Sequence, residues 1–294
     1  MNQSSSCVYV VSLGCPKNLV DTERVMADLV RSGFSITTDL DQARIVIINT
    51  CGFIRSAEQE SLETIEEFCE MKRHGDIDIL VVWGCLVSRR RDACRQLDPS
   101  GLVDAWLPVA EKGAVAEVIR RKTATLVVPN DPQPTHHRIL ATPPHTAYLR
   151  IADGCDNRCS YCTIPSIRGS FHSRPIEEII AEAQTLADAG TVELNLIAQD
   201  STRYGLDLYG EPRLDGLLHQ LRTIEPLRWI RVLYAHPALV TEALVKTLAS
   251  TPQVCRYLDI PIQHASDSIL AAMKRRVTRK QPEQMVALLR REIP

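Results

Sequence analysis

The sequence is short of the features that mark several large classes of protein. Aromatic residues fill only 5 % of its 294 positions, which disfavours an all-β sandwich, since strands of that kind draw on aromatic side chains. No stretch reaches the roughly 18 consecutive apolar residues of a membrane helix. The N-terminus "MNQSSSC" has neither the basic start nor the apolar run of a secretory leader, so the expected compartment is the cytoplasm and no membrane partner is expected. Neither sign of charge dominates. The net charge is −2, so no strong direct nucleic-acid binding is expected. The local basic runs "SRRRDACR" and "MKRRVTRK" read as solvated helix faces. There is no short repeat, no low-complexity tract, no P-loop and no G-x-G-x-x-G, so nucleotide-phosphate binding is not indicated.

What is present is a chain long enough for two domains, 45 % apolar, with ample material for a core. It holds ten cysteines. In a reducing compartment these are not a disulfide framework, and some of them are expected to hold metal.

The apolar pattern gives an α/β fold. "VYVVSL" (8–13), "RIVIINT" (44–50) and "DILVVWG" (78–84) are short and rich in Val and Ile, as buried parallel strands are. Between them lie amphipathic stretches. "NLVDTERVMADLVRSG" sets Leu19, Val25, Met26, Leu29 and Val30 on one stripe and ends at Gly33. This predicts an N-terminal doubly wound parallel-sheet domain over 7–122. Residues 129–144, "PNDPQPTHHRILATPP", carry five prolines, which predicts a semi-rigid extended linker over 123–144. From 145 to 294 the alternation resumes. "TAYLRIA", "VELNLIAQ", "WIRVLYA" and "RYLDIPIQ" read as strands with helices between them, part of a (β/α) barrel.

Cys15, Cys51 and Cys85 each follow one of the first three strands, in "LGCP", "NTCG" and "WGCL". Ligands of open α/β sheets bind beyond the carboxyl ends of strands, so three loops from one edge can bring these residues together. The adjacent Gly14, Gly52 and Gly84 allow tight bends there. The plainer alternative is that cysteine packs well at strand ends. Cys7, Cys69, Cys94 and Cys255 lack the pattern and read as packing residues.

A second group lies in "GCDNRCSYCTIPSIRG", where Cys155, Cys159 and Cys162 follow C-x3-C-x2-C. This is also the spacing of one helix face, but Gly154, Asp156, Asn157, Pro165 and Gly169 break a helix. A structural zinc site wants four protein ligands, and His172 is the available fourth. Iron–sulfur clusters are held by thiolates, usually four. Three would leave one iron open to a substrate or cofactor.

C-x3-C-x2-C with Tyr161 before its last cysteine resembles the signature of radical S-adenosylmethionine enzymes. The doubly wound domain with three spaced cysteines, ahead of "CSYCTIPSIRGSFHSR", resembles the methylthiotransferases of that superfamily. "GCPKNLVDTE", "NTCGFI", "LIAQDSTRYG" and "DIPIQHAS" resemble the branch acting on the β-carbon of an aspartate in small-subunit ribosomal protein S-twelve, rather than the branch acting on tRNA adenosine. The resemblance implies a sulfur-group transferase with two four-iron–four-sulfur clusters and S-adenosylmethionine as cofactors. One cluster would sit on Cys15, Cys51 and Cys85, the other, which binds S-adenosylmethionine, on Cys155, Cys159 and Cys162. Both would face one cavity. A flavodoxin or ferredoxin would be the reductant.

The remaining site residues are weaker readings. Tyr161, Glu193, Gln199 and Asp200 are candidates for the S-adenosylmethionine pocket, with Glu193–Gln199 taken as the end of the second barrel strand. Asp200 reads equally as a cap. Gln263 and His264 are placed at the end of a later strand, with His264 at substrate or merely structural. Arg168 and Arg174 are candidates to meet a carboxylate. The family's core normally has six β/α units and a C-terminal TRAM-like β-barrel. Four strands are readable here, so a chain truncated at its C-terminus is expected. An inert iron–sulfur or zinc-binding fragment is the rival from another class.

Overall fold

Ile45–Thr50 (β3) and Ile79–Gly84 (β4) are buried at every position, as strands covered on both faces must be. They form the centre of a parallel sheet in the computed structural model, which describes residues 6–96, 98–123 and 138–293. By packing, the chain divides into two units. The first comprises 1–141 and 166–168, the second 142–165 and 169–294. The unit boundary thus falls inside the expected 123–144 linker, whose residues 124–137 lie outside the described residues. Residues 138–141 are held by the first unit: Arg138 pairs with Glu23 at 3.5 Å, and the Ala141 amide donates to the same carboxylate at 3.0 Å.

The first unit runs β1 (Cys7–Ser12), α1 (Pro16–Arg31), β2 (Ser35–Thr37), β3, α2 (Arg55–His74), β4, α3 (Cys85–Gln96), β5 (Ala105–Pro108), α4 (Val115–Thr123). The sheet order is β2-β1-β3-β4-β5, all parallel. Successive strand residues point to opposite faces. Ile45, Ile47, Val81 and Trp83 pack with Val25, Leu29, Val115 and Ile119 of α1 and α4. Val46, Ile48, Leu80 and Val82 pack with Ile65, Phe68, Leu86 and Cys94 of α2 and α3. Burying each large aliphatic side chain contributes roughly 1.5–3 kcal/mol. Strands β2 and β5, only three and four residues long, leave no readable pattern in the sequence. The α1 stripe also needs correction. Val30 is 43 % exposed and Leu19 only half-buried, while Lys17, Asn18, Asp21, Thr22 and Glu23 are buried. The first half of this helix faces a polar interior, not the apolar core.

The second unit runs β6 (Thr146–Arg150), β7 (Ala152–Asp153), α5 (Ile164–Arg168, whose last three residues pack in the first unit), β8 (His172–Ser173), α6 (Ile176–Asp188), β9 (Glu193–Ile197), α7 (Leu206–Tyr209), α8 (Leu214–Leu221), β10 (Trp229–Val232), α9 (Glu242–Ser250), β11 (Val254–Leu258), α10 (Asp267–Ala272) and α11 (Lys280–Glu292). Four parallel strands pair in the order β11-β10-β9-β6, and β7 pairs antiparallel with β8. The last strand ends at Leu258, five residues before the expected Gln263. Pro261 removes a ladder donor and restrains Ile260 before it.

Candidate functional site

In the order β2-β1-β3-β4-β5 the strand sequence reverses between β1 and β3. This switch point is where such sheets open a crevice beyond their carboxyl ends. Cys15 and Cys51 follow the two strands that flank it, and Cys85 follows their neighbour. Thr50 is in register with Gly84, so Cys51 and Cys85 leave the sheet from adjacent positions. The glycines beside them close the remaining distance. A Cβ on Gly14 (φ +93°) would stand 2.7 Å from the Cys51 Cβ and 2.9 Å from its Sγ. A Cβ on Gly52 would stand 2.7 Å from Cα of Leu86, the residue after Cys85 in the first turn of α3. Any side chain at either position would drive the loops apart.

Asn18 fastens the three loops together. Its Nδ2 donates to the carbonyls of Leu13 (3.1 Å) and Thr50 (3.0 Å), and its Oδ1 accepts from Cys85 Sγ at 3.2 Å. The Asn18 carbonyl accepts from Asn49 Nδ2 at 2.9 Å. Sequence reasoning missed this residue; the only signal was a run of polar residues where α1 ought to be amphipathic. Arg168, which packs in this unit, is buried. It donates to Asp21 at 2.9 Å and Asn18 at 2.6 Å, with Cys85 Sγ at 3.7 Å. The carboxylate expected for Arg168 is thus supplied by the chain itself.

Burial pushes the Cys51 thiol up, and the Cys85 thiol up to about 11, against the opposing pull of Arg168. A metal bound here would displace those protons. Cys15 is the N-cap of α1, and Cys85 is the first residue of α3. Both sit where helix dipoles favour negative charge.

The second group is contiguous. Gly154 (φ +75°) turns the chain so closely that a Cβ would fall 2.0 Å from the Ser170 carbonyl oxygen. The Cys155 amide donates to the Gly169 carbonyl at 3.1 Å, and the Cys162 amide to the Cys159 carbonyl at 3.1 Å. Ser160 anchors the loop tip to α10 through the carbonyls of Ala272 and Met273. Burial raises the pKa of both Cys155 and Cys162, while the amides of Asn157 and Ile164 donate to their sulfurs and oppose it. Cys51 receives the amide of Phe53 in the same way. In both groups, then, a sulfur is met by the N–H two residues on.

The structure brings Gln199 and Asp200 to this loop. Gln199 Nε2 donates to Asp153 at 2.8 Å, and its Oε1 is buried without a partner. The buried Asp200 carboxylate accepts from Asn157 (3.3 Å) and Thr202 (2.8 Å). Asn157 entered the sequence reading only as a helix breaker; Thr202 was not singled out, nor was His236, whose backbone amide donates to Thr202 Oγ1. Burial lowers the pKa of the His236 ring, against the pull of Asp200. Tyr161 is 46 % exposed beside Cys159, with its phenol pushed up to about 12, chiefly by burial.

Other candidates lie elsewhere. Glu193 opens β9 instead of ending it. Its side chain pairs with Arg231 at 3.1 Å, so it is left out of the site. Gln263 and His264 stand beyond β11, exposed, with His264 in a groove of about 510 Å³ lined by Ile262, Pro282 and Val286. Arg174 meets Glu182 at 2.7 Å and the Arg150 carbonyl at 2.7 Å. His172 Nδ1 lies 3.3 Å from the Ser170 carbonyl. Among the described residues no three His, Cys, Asp or Glu side chains are grouped to hold a single metal ion. A zinc ion draws its sulfurs to about 2.3 Å from one centre; a four-iron cubane is wider and seats its thiolates farther apart. Two sets of three thiols, each beside a glycine turn, suit iron–sulfur clusters in donor chemistry, since such clusters are held by thiolates.

Residues 7–107 match the model of the uncharacterized protein family UPF0004, and residues 149–294 match that of the radical SAM superfamily. The chain is 45 % identical over 301 residues to the ribosomal protein uS12 methylthiotransferase RimO of Geobacter sulfurreducens, aligning over all of its own length and 67 % of the relative. It is likewise 45 % identical to the RimO of Desulforamulus reducens, over 98 % of this chain and 66 % of that one. The chain thus spans about two thirds of the curated relatives it matches. Among solved structures, the radical S-adenosylmethionine methyltransferase TsrM of Kitasatospora setae superposes with a TM-score of 0.69 at 14 % identity, over 98 % of this chain and 66 % of that chain. The cobalamin-dependent S-adenosylmethionine radical enzyme OxsB gives 0.63 at 14 %, over 97 % and 47 %. These two likenesses establish the fold. No helix among the described residues is long and apolar enough to cross a membrane.

Proposed function

We propose a function from one premise: this chain belongs to the RimO family of ribosomal protein uS12 methylthiotransferases. It is a radical S-adenosylmethionine enzyme that replaces a hydrogen on the β-carbon of an aspartate of uS12 with a methylthio group. The observation that carries the reading is the pair of three-thiol sets, one assembled from three strand ends and one from a single loop. Cys15, Cys51 and Cys85 hold one four-iron cluster; Cys155, Cys159 and Cys162 hold the other. When bound, these groups supply the electron that cleaves S-adenosylmethionine to a carbon radical, and the sulfur that is transferred.

The substrate explains why such chemistry is needed. The β-carbon of an aspartate side chain gives up no proton readily at neutral pH, so acid–base catalysis does not suffice. The chain's own residues bind and orient. Asp200, fixed by Asn157 and Thr202, presents a carboxylate oxygen to the hydroxyls or ammonium of S-adenosylmethionine. Gln199 turns its unpartnered Oε1 to the same ligand. Tyr161 stands half-exposed with its phenol beside Cys159. His236, kept neutral at pH 7 by burial, adds no charge there. A flavodoxin- or ferredoxin-like protein in the cytoplasm supplies the electron.

Anaerobic reconstitution tests the reading. Two clusters require about eight irons per chain, a visible absorption that dithionite bleaches, and release of 5′-deoxyadenosine from S-adenosylmethionine. Mass spectrometry of uS12 then shows one methylthio group gained. A colourless protein with stoichiometric zinc, or a modified tRNA adenosine with unmodified uS12, would overturn it.

A further inference from the structure

Arg168 lies in the stretch that follows the second cysteine group, six residues after Cys162. Yet Ser166–Arg168 pack as part of the first unit. Ile167 clusters there with Cys85 and Val109, and the Arg168 side chain is only 1 % exposed. A buried guanidinium is costly to desolvate and persists only where its donors are used. One end of this one is used by Asp21 at 2.9 Å, itself 1 % exposed. The other end donates to Asn18 Oδ1 at 2.6 Å and stands 3.7 Å from Cys85 Sγ. Lys112 Nζ also approaches Asp21, at 3.5 Å. The positive charge therefore lies against the sulfur, anchored from behind by a carboxylate. Its field reaches both Cys51 and Cys85, where it works against the burial that disfavours their thiolates.

We propose that Arg168 is a positioning residue of the first cysteine group: it holds the Cys85 sulfur and Asn18 in place and offsets the negative charge of the sulfur-ligated iron bound there. This rests on the reading of that group as a cluster site and assigns a residue to it from outside its three strand-end loops. The reasoning is electrostatic. Hydrogen bonds and charges at the sulfurs set the potential of an iron–sulfur group. Adding one electron adds one negative charge, which a cation at 3.7 Å favours. Asp21 has the opposite influence, because it neutralises part of the charge that the sulfur feels.

The experiment uses the full reconstituted chain, poised with dithionite and mediators and followed by electron paramagnetic resonance, with chelator competition for iron alongside. The wild-type chain shows two waves. In Arg168→Gln one wave moves to more negative potential and the other stays, and iron held by that cluster is released about 10–100-fold more readily, as for other partners that orient metal ligands. Arg168→Lys keeps the charge and restores most of the potential, but not the tight retention that the fork provides. Asp21→Asn moves the same wave the opposite way. That variant and the lysine keep the proposal testable should Arg168→Gln fail to fold. Waves that stay put in the folded variants, or a shift of the same sign in Asp21→Asn and Arg168→Gln, would overturn the proposal. A wild-type chain that binds iron only on Cys155, Cys159 and Cys162 would instead overturn the cluster reading beneath it.

Discussion

The two cysteine groups solve one problem by opposite means. Cys155, Cys159 and Cys162 lie on one loop, and short-range contacts shape it: a glycine turn, amides two residues on, a serine anchored to a neighbouring helix. Cys15, Cys51 and Cys85 come from three strand ends more than thirty residues apart in sequence. They meet only because β1, β3 and β4 are paired and in register. The first arrangement is a property of a segment. The second is a property of a folded sheet, and it exists only while the sheet does.

The largest effects that bear on this contrast come from the six cysteines. Cys→Ala at any one of the six abolishes methylthio transfer. Each variant loses about half the iron, and iron analysis shows which half. A synthetic peptide spanning residues 152–173 takes up iron and sulfide, whereas no peptide carrying Cys15, Cys51 or Cys85 alone does. If the two classes of peptide behave alike, the contrast fails.

Next come the glycines. Gly52→Ala sets a Cβ 2.7 Å from Leu86 Cα, at an overpacking cost of about 1–3 kcal/mol, and empties only the strand-end group. Gly154→Ala sets a Cβ 2.0 Å from the Ser170 carbonyl oxygen and empties only the loop group. Iron quantitation with both visible spectra reads the difference. Smaller is Asp200→Asn, which weakens S-adenosylmethionine binding by about 1.5–3 kcal/mol, the worth of a charged hydrogen bond. It leaves iron content intact, as equilibrium dialysis will show.

The smallest effect is in pH. Burial raises the Asp104 carboxyl, but hydrogen bonds from Lys72, the Leu80 amide and Lys122 outweigh it and hold the group below its usual range. A depressed folded-state pKa adds stability above the unfolded value, and that stability fades as pH falls through the folded one. Acid titration below about pH 4 should therefore cost the first unit about 1 kcal/mol from this pair. The strand-end cluster bleaches at higher pH than the loop cluster, and Asp104→Asn flattens that part of the profile.

The sequence announced these two regions unequally. C-x3-C-x2-C was legible as a unit because its chemistry lies in one stretch. The strand-end group was legible only through a shared local context, a cysteine after each Val- and Ile-rich run. What holds that group was not legible. Asn18 and Asp21 read as polar positions on an amphipathic helix, and their burial follows from a sheet edge that no local pattern describes. Arg168 was a carboxylate seeker with no address, because its partner lies 147 residues earlier. Glu193 was misplaced for a simpler reason. The segment from 193 to 199 was taken whole as a strand end, whereas β9 begins at Glu193, level with the first residues of β6 and β10, so only Gln199 and Asp200 lie beyond its carboxyl end.

Cys15 is the N-cap of α1 and Ile54 that of α2, and neither residue's side chain caps the first turn. A serine or aspartate there would typically add about 1 kcal/mol. The first turns of both helices are thus held without a bond from their N-cap side chains. Emptied of iron, this half of the molecule should fray first at those two turns, with hydrogen exchange fastest there. Loading would quench that exchange well before it changed any residue of the distant sheet interior.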